Sequence, residues 1–106
     1  MKRKELNYTD LLQSCGYSVP PDTPVYIVKQ ALYDIIATLT PREEKILKLR
    51  YGLGADGNSH TFAATGEAVG ISDQRAWTGH RKALRKLWHD SRRKRFAAFL
   101  EEATRV

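Results

Sequence analysis

The sequence is poor in the residues that carry most catalytic and metal chemistry. It has one cysteine, Cys15, which excludes an intrachain disulfide and a cysteine-based metal site. The three histidines, His60, His80 and His89, are scattered without a ligand spacing such as His-x-x-x-His, so surface or capping roles are expected and no metal. No nucleophile–base motif and no phosphate-cradling glycine loop appears, and Gly52-x-Gly54 reads as a helix stop. No enzyme and no cofactor is therefore expected. No run approaches the roughly 18 apolar residues of a membrane span. The start, MKRKELNYTDLL, lacks the apolar stretch of a secretion signal, so the expected location is cytoplasmic with no membrane partner. Internal repeats, low-complexity tracts and convincing period-two strand patterns are absent as well.

Positive charge is what the chain has in excess. Eighteen Lys and Arg oppose twelve Asp and Glu, giving +6 and a pI near 9.7. The excess is concentrated between Arg75 and Arg95, where nine basic residues (Arg75, Arg81, Lys82, Arg85, Lys86, Arg92, Arg93, Lys94, Arg95) face only Asp90. Such a cluster is the footprint of a phosphate-binding surface. Its plainer alternative is a helix face kept basic for solubility. At 106 residues the chain is long enough for one domain with a modest core.

Residues 1–22 read as an N-terminal arm and connector: a basic start, a weakly amphipathic piece with Leu6, Leu11 and Leu12, then the irregular SCGYSVPPDTP. The amphipathic piece is open between a short helix and a disordered arm. Residues 23–106 read as the folded domain. Thr23-Pro24 offers a cap and a helix-start proline. Val25, Val28, Leu32, Ile35, Ile36 and Leu39 then recur at helical steps as one buried stripe. Thr40 and Glu43 are spaced as a capping box around Pro41, opening a helix that packs Ile46, Leu47, Leu49 and Tyr51 and stops at Gly52. Thr61 caps a short helix from Phe62 to about Val69, Gly70 gives a turn, Ile71 anchors it inward, and Ser72 caps a longer helix. Ala76, Ala83, Leu84 and Leu87 fall on the inward side of that helix. Asp73, Gln74, Trp77, Thr78 and Arg81 share its outward face. After a break at His89-Asp90-Ser91, a last helix carries Phe96, Phe99 and Leu100 on one edge. The expectation is an all-α bundle of four to five helices with a helix-turn-helix between Thr61 and Leu87, the motif whose second helix enters a DNA major groove.

The run LTPREEKILKLRYGLG, followed in register by HTFAATGEAVGIS, KALRKL and SRRKRFAAFLEE, closely resembles region 4 of the sigma-70 family of bacterial transcription initiation factors. The resemblance covers residues from about Val25 to Glu102. It implies two surfaces. One packs on the flap of the polymerase β subunit, here Val28, Leu32, Ile35, Ile36, Leu47, Arg50, Tyr51, Phe96, Phe99 and Leu100. The other reads the −35 promoter element, here Ser72, Gln74, Arg75, Trp77, Thr78, Arg81, Lys82, Arg85 and Lys86. Regions 1 to 3 are missing from this sequence, so it is not expected to recognise a −10 element or melt a promoter by itself.

Two departures qualify the resemblance. Where the family has Thr-Arg-Glu-Arg-Ile-Arg-Gln after the turn, this chain has Ser72, Asp73, Gln74, Arg75, Ala76, Trp77 and Thr78. Asp73 cannot make an arginine's bidentate bond to guanine and repels phosphate, whereas Gln74 can still read adenine. The usual −35 sequence is therefore not the expected target. Thr65, Ala76 and Gly79 also stand where the family carries Val and Ile toward the core. Each such loss costs roughly 1–4 kcal/mol unless the space is refilled, and a glycine inside a helix costs about 1 kcal/mol more. Either Trp77 or Phe62 turns inward, or the second helix is loose until a partner orders it.

The expected function is that of a region 4-like transcription regulator that binds core polymerase at the β flap and duplex DNA, at an altered −35 element or nonspecifically. The alternative is a protein-interaction module that mimics region 4, occupying the flap or capturing another sigma subunit, an activator or an anti-sigma factor, in the manner of phage proteins that redirect a host polymerase. A dimeric repressor binding its own operator is a lesser rival: no heptad or additional helix suggests a dimerisation element, though residues 1–20 could provide one.

Overall fold

Side-chain caps set where the helices begin. In the computed structural model, which describes residues 5–105, six helices and no strand occur among the described residues. The all-α expectation holds, with one short N-terminal helix added. That helix, α1 (Tyr8–Ser14), opens on Asn7, whose Oδ1 accepts from the Thr9 N–H at 2.9 Å while Asp10 Oδ2 accepts from the Asn7 N–H at 2.8 Å. The amphipathic piece is thus a helix. The basic start before it lies outside the described residues.

Helix α2 (Val25–Ile36) begins without a side-chain cap: Pro24 itself is the cap residue, and the Thr23 N–H turns back to Pro20 O at 3.1 Å. The expected Thr23 cap is therefore corrected. Its stripe is buried as the periodicity requires, except that Val25 is 51 % exposed. Helix α3 (Pro41–Arg50) has the capping box in full. Thr40 Oγ1 accepts from the Glu43 N–H and Glu43 Oε1 accepts from the Thr40 N–H, both at 3.2 Å. Gly52, at φ +66°, reverses the chain after it.

Helices α4 (Phe62–Val69) and α5 (Asp73–Trp88) pack on each other and on α3, while α6 (Asp90–Thr104) packs chiefly on α2. His89 is both the last residue of α5's cap and the N-cap of α6, its Nδ1 accepting from the Ser91 N–H at 3.3 Å.

The N-terminal segment joins the same apolar cluster. Leu11, Cys15 and Tyr17 are buried with Ile27, Leu32, Leu87, Phe96 and Leu100. Tyr17 ties three elements together: its ring lies 4.7 Å from that of Phe96, and its hydroxyl donates to Leu87 O at 2.6 Å. That carbonyl belongs to the last turn of α5, where no intrahelical donor remains, so the contact satisfies an orphan acceptor. Gly16, at φ +67°, lets the chain pass beneath Trp88, whose ring would lie 2.5 Å from any added methyl. Burial pushes the Cys15 thiol up to about 12, so it stays protonated and unreactive.

Candidate nucleic-acid interface

The helix-turn-helix is built from four backbone devices. Thr61 Oγ1 accepts from the Ala64 N–H at 3.0 Å and starts α4. Gly70 ends it at φ +82°, with the N–H groups of Gly70 and Ile71 both donating to Gly66 O at 2.8 Å. Ser72 Oγ then accepts from the Arg75 N–H at 3.1 Å and starts α5. The fourth device is Gly66, which sequence reasoning passed over. A methyl there would lie 2.6 Å from Ile71 O and 2.9 Å from Ser72 O, so the turn lies directly on α4. A glycine in the middle of an eight-residue helix was the available signal.

The inner face of α5 answers the packing question raised by Thr65, Ala76 and Gly79. Ala76 and Ala83 are fully buried. At Gly79 the space is occupied from α3: an added methyl would meet Ile46 Cδ1 at 2.8 Å. Trp77 does not turn inward; it is 45 % exposed. Phe62 packs half-buried, with the Arg50 guanidinium 3.9 Å over its ring and the His80 ring edge-on at 5.3 Å. His80 also stacks on Tyr51 and shares a 2.7 Å hydrogen bond with its hydroxyl. Burial, reinforced by the Arg50 charge, lowers the His80 pKa from 6.5 to about 4, so the imidazole is neutral at physiological pH. Thr65 is fully buried, and its Oγ1 has no hydrogen-bond partner among the described residues.

The outer face holds the expected reading residues together on the surface. Ser72, Gln74, Arg75, Trp77, Thr78, Arg81, Lys82 and Arg85 are all exposed. Two are partly committed: Ser72 is the cap, and Thr78 Oγ1 donates to Gln74 O at 3.0 Å. The Arg81 guanidinium lies 4.9 Å over the Trp77 ring. Lys86 is set apart from the rest. Its ammonium is 2.8 Å from Glu43 Oε1, which makes it a link between α5 and α3. Burial raises the Glu43 carboxyl, but Lys86 and Thr40 outweigh it and the net shift is downward. Arg42, at the start of α3, lines a hollow with Arg75, Thr78, Gly79 and Lys82 and adds a cation that sequence reasoning did not place here.

Residues 35–89, spanning α3, the turn and α5, match the model of sigma-70 region 4. The chain belongs to the sigma-70 region 4 family. The RNA polymerase sigma factor SigA of a Bacillus species is 41% identical to it over 93 residues, covering 87% of this chain and 24% of the relative. SigA of Listeria monocytogenes and SigA of Listeria innocua are each 40% identical over 93 residues, covering 87% of this chain and 25% of the relative. This region 4 chain therefore spans about a quarter of the length of the curated relatives it matches.

The second expected surface of a region 4 domain is less simply placed. Val28, Leu32, Ile35, Ile36, Leu47, Tyr51, Phe96 and Leu100 lie in the core at no more than 4 % exposure. They pack in one apolar cluster with Leu11, Cys15 and Tyr17 of the N-terminal segment and so do not form the surface. Arg50 and Phe99 are half-buried. Exposed apolar groups on or beside these elements are Val25, Tyr26 and Tyr33 on α2 and Trp88 just before α6. A groove of about 720 Å³ also runs between the 18–23 connector and α6, walled by Val19, Pro20, Ala97 and Leu100.

Proposed function

We propose that this chain is a region 4 transcription regulator that binds the core of bacterial RNA polymerase at its β flap. It grips duplex DNA through α5, at a site other than the family's usual −35 element. The observation that carries the DNA half is a row of cations, Arg75, Lys82 and Arg85, exposed along α5 with no carboxylate within 4 Å among the described residues. Together with Arg42 and Arg81 they supply about five phosphate contacts, for which a log–log salt slope of roughly −4 to −5 is expected. Asp73 and Trp77 in place of the family's arginines favour an altered target.

The polymerase half rests on family membership and on the apolar groove beside α6, which takes the place of the buried core residues as the contact surface. In this reading residues 23–106 are the working domain. Residues 1–22 are an arm whose helical part is folded back on it, and the protein acts in the cytoplasm at the nucleoid.

Two measurements on the full chain test this. It should retain core polymerase from a bacterial lysate and shift duplex DNA at physiological salt. Recovery of no polymerase subunit overturns the first half, and the absence of any shift overturns the second. The second reading, a module that captures protein with its outer face, is favoured by the exposure of Trp77, since tryptophan is a frequent interface anchor. Polymerase retention without DNA binding would select it.

A further inference from the structure

The outer face of α5 carries recognition chemistry that its charge does not explain. Phe62, from the start of α4, and Asp73, Gln74 and Trp77, from the start of α5, line one shallow concavity. Two aromatic rings therefore share a hollow with a carboxylate and an amide, all at the end of the helix that a helix-turn-helix presents to base edges. The carboxylate is held in place: Asp73 Oδ1 accepts from the Gln74 N–H at 2.8 Å, and Oδ2 has no hydrogen-bond partner among the described residues. Thr78, one turn on, has its hydroxyl engaged by Gln74 O at 3.0 Å, which leaves its methyl as the group available for contact. The Arg81 guanidinium over the Trp77 ring keeps a cation beside the indole without placing it in the hollow.

We propose that this concavity reads an A·T base pair in the major groove, with Gln74 on adenine and Trp77 against the thymine methyl. The inference rests on the DNA-binding reading above. Adenine presents an acceptor and a donor side by side, N7 and the N6 amino group, and an amide matches both. Thymine presents the only methyl group in the unmodified major groove, and the Trp77–Phe62 hollow offers it an apolar wall. Asp73 supplies the rejection. A carboxylate can only accept, so guanine, which presents N7 and O6, would set acceptor against acceptor. Cytosine could satisfy Asp73 through its N4 amino group but brings no methyl. Attraction to the A·T pair, an unpaired acceptor where guanine faces Asp73, and a missing methyl where cytosine does are the elements of that specificity.

The test begins with enrichment of a randomised duplex pool on the full chain. The winning duplex is then compared with copies in which single thymines are replaced by deoxyuridine, which removes only the methyl. An A·T pair should be enriched at the position under α5. One deoxyuridine there should weaken binding about fourfold, the effect of one buried methyl-sized group. Trp77→Ala should abolish the thymine–uracil difference while leaving the salt slope unchanged, and Trp77→Phe, which keeps an apolar ring, should preserve it. Gln74→Ala should reduce the preference for adenine about tenfold. A cytosine-to-5-methylcytosine exchange in a C·G competitor should recover part of the lost affinity.

Enrichment of G·C under α5, or indifference to deoxyuridine at every position, overturns the proposal. Retention of the pool without enrichment also overturns it and leaves nonspecific DNA binding standing. If no duplex is retained, the DNA-binding reading falls, and this one falls with it.

Discussion

In α5 the cations Arg75, Lys82 and Arg85 stand exposed with no carboxylate within 4 Å among the described residues, whereas in α6 Arg92, Arg93 and Arg95 have structural partners. Arg92 Nε donates to Thr38 Oγ1 at 3.0 Å. Arg93 Nε donates to Trp88 O at 3.0 Å, with its guanidinium 4.4 Å over the Trp88 ring. Arg95 makes a bidentate bond to Asp34 at 2.9 and 3.0 Å. These contacts fasten α6 to α2 and cap the C-terminus of α5, where carbonyls lack intrahelical donors. Lys86, paired with Glu43, belongs with the α6 group in use although it sits on α5. The packing partner decides what a cation does. Asp34 and Thr38 meet the arginines of α6, while on the outward face of α5 Arg81 has the Trp77 ring and Arg75, Lys82 and Arg85 have no carboxylate within 4 Å among the described residues.

Removing charge from each group should break the comparison in opposite ways. The largest effect is expected for Lys82→Ala with Arg85→Ala, which should weaken duplex binding roughly 30- to 100-fold near 0.1 M salt, since two released counterions are forfeited. Its thermal unfolding should match the wild type.

Acid should act next, and should act on α5 before α6. His80 has a folded pKa of about 4 against 6.5 unfolded. The unfolded state binds the proton first, so stability falls as pH drops from 6.5 and the loss levels off near 4. About 2 kcal/mol is expected across that window, less than the bare shift because the ring is partly open to water. Denaturant titrations at stepped pH measure it, and His80→Gln should flatten the curve. The Asp34–Arg95 pair holds the Asp34 carboxyl below its ordinary value. Its contribution is fully present at neutral pH and is lost only as pH falls through that lowered pKa.

Arg92→Ala with Arg95→Ala should lower the denaturation midpoint by a smaller amount, because one side-chain hydrogen bond and one solvent-exposed bidentate pair are lost. The smallest effect is a gain. Thr65→Val removes a buried hydroxyl without a partner among the described residues and should stabilise by about 1 kcal/mol in the same titrations. No change or a loss would show that the hydroxyl is satisfied in solution.

Much of this was legible beforehand. The caps at Thr40, Thr61 and Ser72, the turn at Gly70 and the α4 boundaries follow from local rules, because a cap is decided within four residues. The outward set on α5 followed from the helical period. What was not legible depends on contacts distant in sequence. Ile46 filling the space at Gly79 requires knowing that α3 lies across α5. The burial of Tyr17 against Leu87 O spans 70 positions. Arg42 beside Lys82 could not be foreseen from its place in a capping box. The expected polymerase-facing residues shared the same difficulty: periodicity marks Val28, Leu32 and Ile35 as apolar, and an apolar stripe reads alike whether a partner or the chain's own N-terminal segment covers it.

The division of the basic run is tested most directly by measuring duplex affinity against salt for three proteins in parallel. The wild type should give a slope of roughly −4 to −5, and Lys82→Ala with Arg85→Ala should flatten it by about 2. Arg92→Ala with Arg95→Ala should leave the wild-type slope unchanged. A slope flattened equally by both double variants would contradict the account, because it would make α6 as much a part of the phosphate-binding surface as α5.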